Sequence, residues 1–475
     1  MTTVVHTPQA RGRIGVARAD ITPPVGIYHR MWGAALHDRA TGVHRPLTAS
    51  ALWMQSTVEG EAAVLLALDH CLLDPAEFAA IREAVAEIVG LRIDDVFVSM
   101  SHTHGSAWMS RSRSHLPGGD LIAPYLDAAI AACANLAFEA KQHAVLGSMV
   151  FGAGRCSLAA HRDFYDASAN RYVCGFHPDG SADQTVMVAK AVSDDGRLLG
   201  SVVNYACHPT TLAWQNTLIS PDYVGAMREI VETHSGVPCT FLQGASGDLG
   251  PREGFVGDVS VADRNGRQLG FSALSALEAI PHAGTRFEYA GAVVSGATLG
   301  IWEHRQDPRD FAAWRRETVV VPLPYRLELP TEDETRSDLR KWEAEEAEAR
   351  SRNDSARVSE CRAHVERMTR QLARLAALTP GSAYRMTVSL LRWGHTLWVF
   401  SPGELYQVFQ IELRRRFPEV AVVVATMTND WQPGYLPNAS SYGYGVYQDV
   451  IAAVSPGSLE TLLEEVTRRA RRLFD

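Results

Sequence analysis

The chain has 475 residues, 46% hydrophobic and 21% charged, without a low-complexity tract, a globular composition with room for one large α/β domain or two to three smaller ones. Its formal net charge of −9 argues against nucleic acid as the main partner, because binding phosphates calls for a basic surface. Seven scattered cysteines, never in CxxC spacing, fit reduced thiols rather than a disulfide framework; no apolar run of the roughly 18–20 residues that span a bilayer is expected, and the first eleven residues lack a signal-peptide apolar core, so the expected location is cytoplasmic.

Residues 1–11 read as a disordered tip, and from Ile14 strand-like and helix-like segments alternate. Ala62–Leu68 is a continuous apolar run and reads as a buried strand. Pro75–Val89 follows with helical spacing, Pro75 in its first turn and Gly90 after its end, and Val96–Ser101 is the next strand. This β-α-β unit predicts parallel pairing with a right-handed crossover. The pattern recurs as Leu199–Ala206, Asp222–His234 and Cys239–Leu242, and again as Thr396–Phe400, Glu404–Phe417 and Val420–Thr426. The expected fold is α/β, with mixed or parallel sheets and flanking helices in one catalytic domain over 12–475.

Residues 331–378 differ in character. They are highly charged, and Val358, Cys361, Val365, Met368, Leu372 and Leu375 step by three and four. Asn353-Asp354 breaks the segment into two helices. It reads as a helical hairpin inserted in the domain and packed on it, with a dimerisation arm or a lid as the alternatives. A homo-oligomer is therefore an open expectation.

In α/β sheets, ligands bind beyond the carboxyl ends of the strands. Those ends carry Asp69-His70, His102 and His104, His208, the stretch Gln243 to Asp248, Glu404, and Asn429-Asp430 followed by Tyr435. His102 and His104 stand at i and i+2, so an extended chain would turn both imidazoles to one side. Two histidines and a carboxylate leave Zn²⁺ an open position for water, and His102, His208 and Glu404 meet that ligand count. Gly244-Ala-Ser-Gly247 before Asp248 offers backbone N–H groups for an anion, and the loop holding Tyr435, Tyr442, Tyr444 and Tyr447 suits substrate binding.

Taken in order, these segments resemble the neutral/alkaline (non-lysosomal) ceramidase family. The resemblance is carried by Gly15-Val-Ala-Arg-Ala-Asp20-Ile-Thr-Pro, Ser101-His-Thr-His104, Asn204-Tyr-Ala-Cys-His208-Pro-Thr, Gln243-Gly-Ala-Ser-Gly-Asp248-Leu-Gly-Pro251, Pro402-Gly-Glu404 and Gly434-Tyr435-Leu-Pro. It implies one Zn²⁺ held by His102, His208, Glu404 and Tyr435, with His104 beside the metal. It also implies Arg162 and Tyr447 as the pair that orients the scissile amide carbonyl. Two features depart from the family. Gly250 stands where the family carries a serine described as the nucleophile, and the family's secretion signal and C-terminal immunoglobulin-like domain have no counterpart in these 475 residues.

The expected function is a zinc-dependent hydrolase that cleaves an amide or related acyl bond of a small-molecule or lipid-like substrate by attack of metal-bound water. His104 or Asp248 would handle the proton, and Ser246 is the alternative nucleophile. The competing readings are a binuclear metal hydrolase using both His102 and His104, and an inactive binding protein on the same scaffold.

Overall fold

The computed structural model describes residues 3–57 and 61–475. Its first sheet has eight strands, in the order Cys239–Gln243, Leu198–Tyr205, Thr185–Ser193, Val145–Arg155, Gln9–Asp20, Thr48–Gln55, Ala62–Leu68 and Val96–Met100. Its two outermost joints are parallel and are the first two β-α-β units. Every joint between them is antiparallel. A second sheet runs Trp314–Pro324, Ala383–Trp393, Thr396–Phe400 and Ala421–Ala425, and its one parallel joint is the third unit. The fold is thus mixed α/β, with the parallel pairs confined to sheet edges.

The two sheets stack face to face between outer helices. Alternate residues of one strand show how. Val64 and Leu66 join a cluster with Phe78 and Leu126 of the helices Pro75–Val89 and Ile122–Gln142. Leu65 and Phe97 point the other way, into a cluster with Trp393, Trp398 and Phe400 of the second sheet. Phe97 stacks on Phe400 with centroids 3.9 Å apart. Burial on both faces is why these strands read as unbroken apolar runs, and each large side chain so buried contributes about 1.5–3 kcal/mol. The far face of the second sheet is covered by Val408–Arg416 and Ser458–Phe474 through Phe409, Leu413, Leu462 and Val466.

Three expectations are corrected, and one element is new. The described residues 3–11 are ordered: Val4 and Val5 pair with Glu288 and Phe287, and the first long strand begins at Gln9. The helical stretch Gly119–Gln142 is long and apolar enough to cross a membrane, contrary to the expected absence of such a run; here it lies against the strands Gln9–Asp20 and Thr48–Gln55. Residues 404–405 form a short strand, so the helix expected from Glu404 starts at Val408. The antiparallel ribbon Thr285–Ser295 and Ala297–Gln306 had no counterpart in the sequence reading.

The helical hairpin consists of Glu332–Ser351 and Ser355–Ala377. Thr331 and Glu334 form a capping box at its start, and Asn353 turns the chain with φ 57°. The strands on either side of it pair directly, Pro324 opposite Ala383, so the hairpin is inserted in a strand-to-strand connection. Its second helix reaches the carboxyl ends of the parallel strands, where the candidate ligands lie.

Candidate metal centre and its cavity

His102, His208, Glu404 and Tyr435 come together from both sheets. The Nε2 atoms of His102 and His208 are 3.1 Å apart, and Glu404 Oε2 lies 3.3 Å from the first and 3.1 Å from the second. Tyr435 Oη is 3.3 Å from His208 Nε2. Glu404 and Tyr435 are set side by side by a two-residue parallel ladder, Glu404 opposite Tyr435 and Leu405 opposite Leu436. Gly403 precedes it with φ 73°, in the left-handed region that favours glycine.

The two histidines are oriented by their other ring nitrogens. Nδ1 of His102 is 3.1 Å from the Cys71 carbonyl oxygen, and Nδ1 of His208 is 3.0 Å from that of Ser246. A carbonyl only accepts, so each Nδ1 carries its proton and donates it, which turns both Nε2 atoms towards each other and a carboxylate. Glu404 Oε2 is buried, and its near neighbours are these two Nε2 atoms. Two imidazole nitrogens and a carboxylate at this spacing call for a cation among them: a proton, since burial lowers the His102 imidazole but Cys71 and Glu404 outweigh it and raise it well above its ordinary range, or a metal ion, for which carbonyl-anchored imidazoles are the usual support. The donor set therefore fits Zn²⁺, with two nitrogens, a carboxylate and a phenol. Burial and the nearby Arg162 press His208 down to about 3, so its imidazole is neutral.

His102 reaches this position by a route the sequence did not show. The strand ends at Met100, and His102 has φ 65°. It is the turn, not strand alternation, that brings the rings of His102 and His104 together at 5.1 Å between centroids. A non-glycine residue held in that region costs on the order of 1–3 kcal/mol, and such residues cluster at functional sites. His104 lies against Trp32, with its Nε2 buried and unpartnered. Burial and the two neighbouring histidines hold its imidazole well below its ordinary range.

The other candidates separate into near and far. Arg162 is buried beside Tyr435: its Nη2 donates to Tyr435 Oη at 3.1 Å and to the Gly247 carbonyl at 2.5 Å. Tyr447 stands over Tyr435 with centroids 6.0 Å apart, is 43% exposed and lines the cavity. Asp248 is engaged elsewhere. Its Oδ1 accepts from the Gln407 backbone N–H and its Oδ2 from Gln407 Nε2, both at 2.8 Å, so it anchors the segment that follows Glu404. Ser246 Oγ accepts from Gln243 Nε2 at 2.6 Å. His208 Nδ1 is 3.5 Å from that hydroxyl but already donates to the Ser246 carbonyl, so it has no lone pair there to act as base. Asp69 pairs in bidentate fashion with Arg228, and His70 hydrogen-bonds Tyr125, which makes both structural. A Cβ on Gly250 would meet only Arg162 Cδ at 3.8 Å and Thr210 Oγ1 at 3.9 Å, so the position has room for a side chain.

A cavity of about 400 Å³ opens beside the ligands, walled by Trp32, Trp214 and Phe255 and bounded by Arg162, Tyr435 and Tyr447. A smaller recess, which shares Tyr435 and Tyr447 with it, holds Leu72, Trp108, Trp431 and Ile451 next to His102 and Glu404. The second helix of the insertion closes both with Arg370, and the recess also with Arg374. Sequence reasoning missed these arginines. The signal was present as Arg362, Glu366, Arg370 and Arg374, a charged stripe at i+4 spacing on one helix face.

The family model described as "Neutral/alkaline non-lysosomal ceramidase, N-terminal" matches residues 13–255. Neutral ceramidase 1 of Arabidopsis thaliana is 24% identical over 246 residues, 46% of this chain and 29% of that protein. The neutral ceramidase of Pseudomonas aeruginosa is 23% identical over 258 residues, 50% of this chain and 37% of that protein. The matched segments therefore span about a third of those relatives. Among solved structures, the neutral ceramidase from Pseudomonas aeruginosa superposes with a TM-score of 0.64 at 15% identity, covering 98% of this chain and 75% of that one. A ceramidase complexed with C2 gives 0.65 at 15% identity, with coverage of 98% and 76%. These likenesses extend the shared fold beyond residue 255 to almost the whole chain.

Proposed function

From its membership of the neutral/alkaline non-lysosomal ceramidase family, to which this chain belongs, we propose that the protein is a zinc-dependent hydrolase of an amide or related acyl bond. The observation that carries this reading is the convergence of two imidazole Nε2 atoms and one carboxylate oxygen within 3.3 Å, both imidazoles being fixed by backbone carbonyls.

His102, His208, Glu404 and Tyr435 would hold the metal. Bound there, zinc supplies a Lewis acid that polarises a carbonyl and makes water acidic near neutrality. The chain's own groups do the rest. The acyl portion enters the aromatic cavity, which leaves the scissile carbonyl at Tyr447, whose hydroxyl donates to the oxyanion as it forms. Arg162 keeps Tyr435 oriented and adds positive charge on the same side. Neutral His104, with a free Nε2, takes a proton from the attacking water and returns one to the departing nitrogen. Water thus adds OH to the acyl carbon and H to the nitrogen, giving a carboxylic acid and an amine. Gly250 offers no nucleophile and Ser246 is committed to Gln243, so attack by water without an acyl-enzyme is the preferred course.

Cys71, His102 and His104 form a second cluster able to hold an ion. The Nδ1 proton of His102 donated to Cys71 argues for one metal rather than two. Metal analysis of protein purified without added metal tests the proposal, with about one zinc per chain expected. His208→Ala should lose both the zinc and the hydrolysis of N-acyl substrates. Full activity after exhaustive chelation would refute a metal mechanism.

A further inference from the structure

Glu366 sits under the cavity and is shared by three arginines: Arg113 at 2.8 Å, Arg370 at 2.8 Å and Arg30 at 3.3 Å. Asp38 takes Arg362 at 2.6 Å and a more distant Arg30. Four of the five arginines in this cluster thus share two carboxylates. Arg374 is the one without an acidic partner. It is 5% exposed, donates to Gln371, and its Nε is buried with no acceptor among the described residues. It lines the recess beside His102, Glu404, Gly434 and Tyr447. The charged groups facing it are Glu404, which is turned to the two histidines, and Arg370, which adds to the excess of positive charge. A buried guanidinium with a free donor costs free energy unless an acceptor arrives from outside the chain.

We propose that the substrate carries a carboxylate on its amine portion, received by Arg374 and Arg370 in the recess next to the metal ligands. This deepens, and rests on, the amide-hydrolase reading of the same site. The side of the bond follows from the shape of the two spaces. The larger cavity has three aromatic walls and suits an acyl chain. The recess adjoins it, shares Arg370, Tyr435 and Tyr447 with it, is small, and adds Arg374 with Leu72, Trp108, Trp431 and Ile451. A planar guanidinium matches a carboxylate in bidentate fashion. The substrate class is therefore an N-acyl amino acid, cleaved by water to a fatty acid and a free amino acid, rather than an N-acyl compound with a neutral headgroup.

The test compares N-octanoylglycine with N-octanoylglycinamide, and with N-octyladipamic acid, which carries its carboxylate on the acyl side. For the zinc-loaded full chain, the ratio of kcat/KM for glycine over glycinamide should be on the order of 10². Arg374→Met should bring that ratio close to one, and Arg374→Lys should keep part of it. Equal rates on acid and amide in the wild type, or a ratio unchanged in Arg374→Met, would overturn the proposal; a merely structural loss would lower both rates in proportion. A preference for the adipamic acid would overturn the assignment of sides. Should no amide be hydrolysed, tryptophan fluorescence still reads binding, because Trp32, Trp108, Trp214 and Trp431 line the two spaces. Tighter binding of the acid, lost in Arg374→Met, would uphold the anion site although the hydrolase reading had failed. Equal binding of acid and amide would end it.

Discussion

The candidate site has two walls built on different principles. One consists of strand ends and the loops that follow them, with His102, His208, Glu404 and Tyr435 aimed at a common point and their orientations fixed by backbone carbonyls and a short ladder. The other is a helix face, Glu366, Arg370 and Arg374, held by ion pairs to arginines from distant segments. The first wall carries donors that need a cation. The second carries an excess of cations that calls for an anion. On the proposed function the chemistry would belong to the scaffold and the selection of what reacts to the insertion, and the two can be broken separately.

The largest effect is expected on the insertion wall. Glu366→Ala leaves Arg30, Arg113 and Arg370 buried without their shared carboxylate and should destabilise the fold by about 3–5 kcal/mol, read from denaturant midpoints. The same residue gives a pH signature. Burial would raise its pKa, but Arg370 and Arg113 outweigh it and hold it at about 2, below the ordinary 4.5. A carboxylate with a depressed folded pKa stabilises fully above its unfolded value and loses that contribution as pH falls towards the folded one. Wild-type stability should therefore drop by about 3 kcal/mol between about pH 4.5 and pH 2 from this group, and Glu366→Gln should remove that part of the slope.

On the scaffold wall the expected loss is kinetic. Tyr447→Phe should lower kcat on the order of 10²-fold, with zinc content and thermal midpoint unchanged. Wild-type turnover in that variant would take Tyr447 out of the mechanism. The smallest effect belongs to Gly250→Ser. Its Cβ finds only ordinary contacts, so stability should shift by less than about 0.5 kcal/mol and kcat/KM should stay within a few-fold. A large gain in rate with an acyl adduct on the new hydroxyl would show that the scaffold still favours a covalent route.

The strand-end wall was legible in the sequence because its ligands follow runs that are apolar for a physical reason: both faces of Ala62–Leu68 and Val96–Met100 are buried. Such runs stand out, and the residues after them are few. The antiparallel centre of the first sheet was not read. Strands such as Val145–Arg155 mix buried and exposed positions and glycines without clean alternation, and the ribbon over 285–306 is exposed along most of both faces. The insertion wall escaped for the opposite reason to the ligands. Apolar periodicity located Val358, Cys361, Val365, Met368, Leu372 and Leu375, yet the helix also buries Arg362, Glu366, Gln371 and Arg374. Charged residues read as a solvated face unless their i+4 alignment is taken as a pattern in its own right. Asp248 was overvalued because its position in a motif says nothing of which way its oxygens turn, and here both turn to Gln407.

The short ladder that joins Glu404 to Tyr435 has a consequence for how the molecule comes apart. His102 and His208 belong to the first sheet, Glu404 and Tyr435 to the segments that follow strands of the second. An ion shared among them, as proposed, would be a removable cross-link between the two sheets, closing a loop of roughly 300 residues between His102 and Glu404. Its binding energy is then available only to the docked pair of sheets, so chelation should lower the thermal midpoint and blunt the cooperativity of unfolding. Residues 13–255 alone carry both histidines but neither Glu404 nor Tyr435, and half a clasp holds nothing.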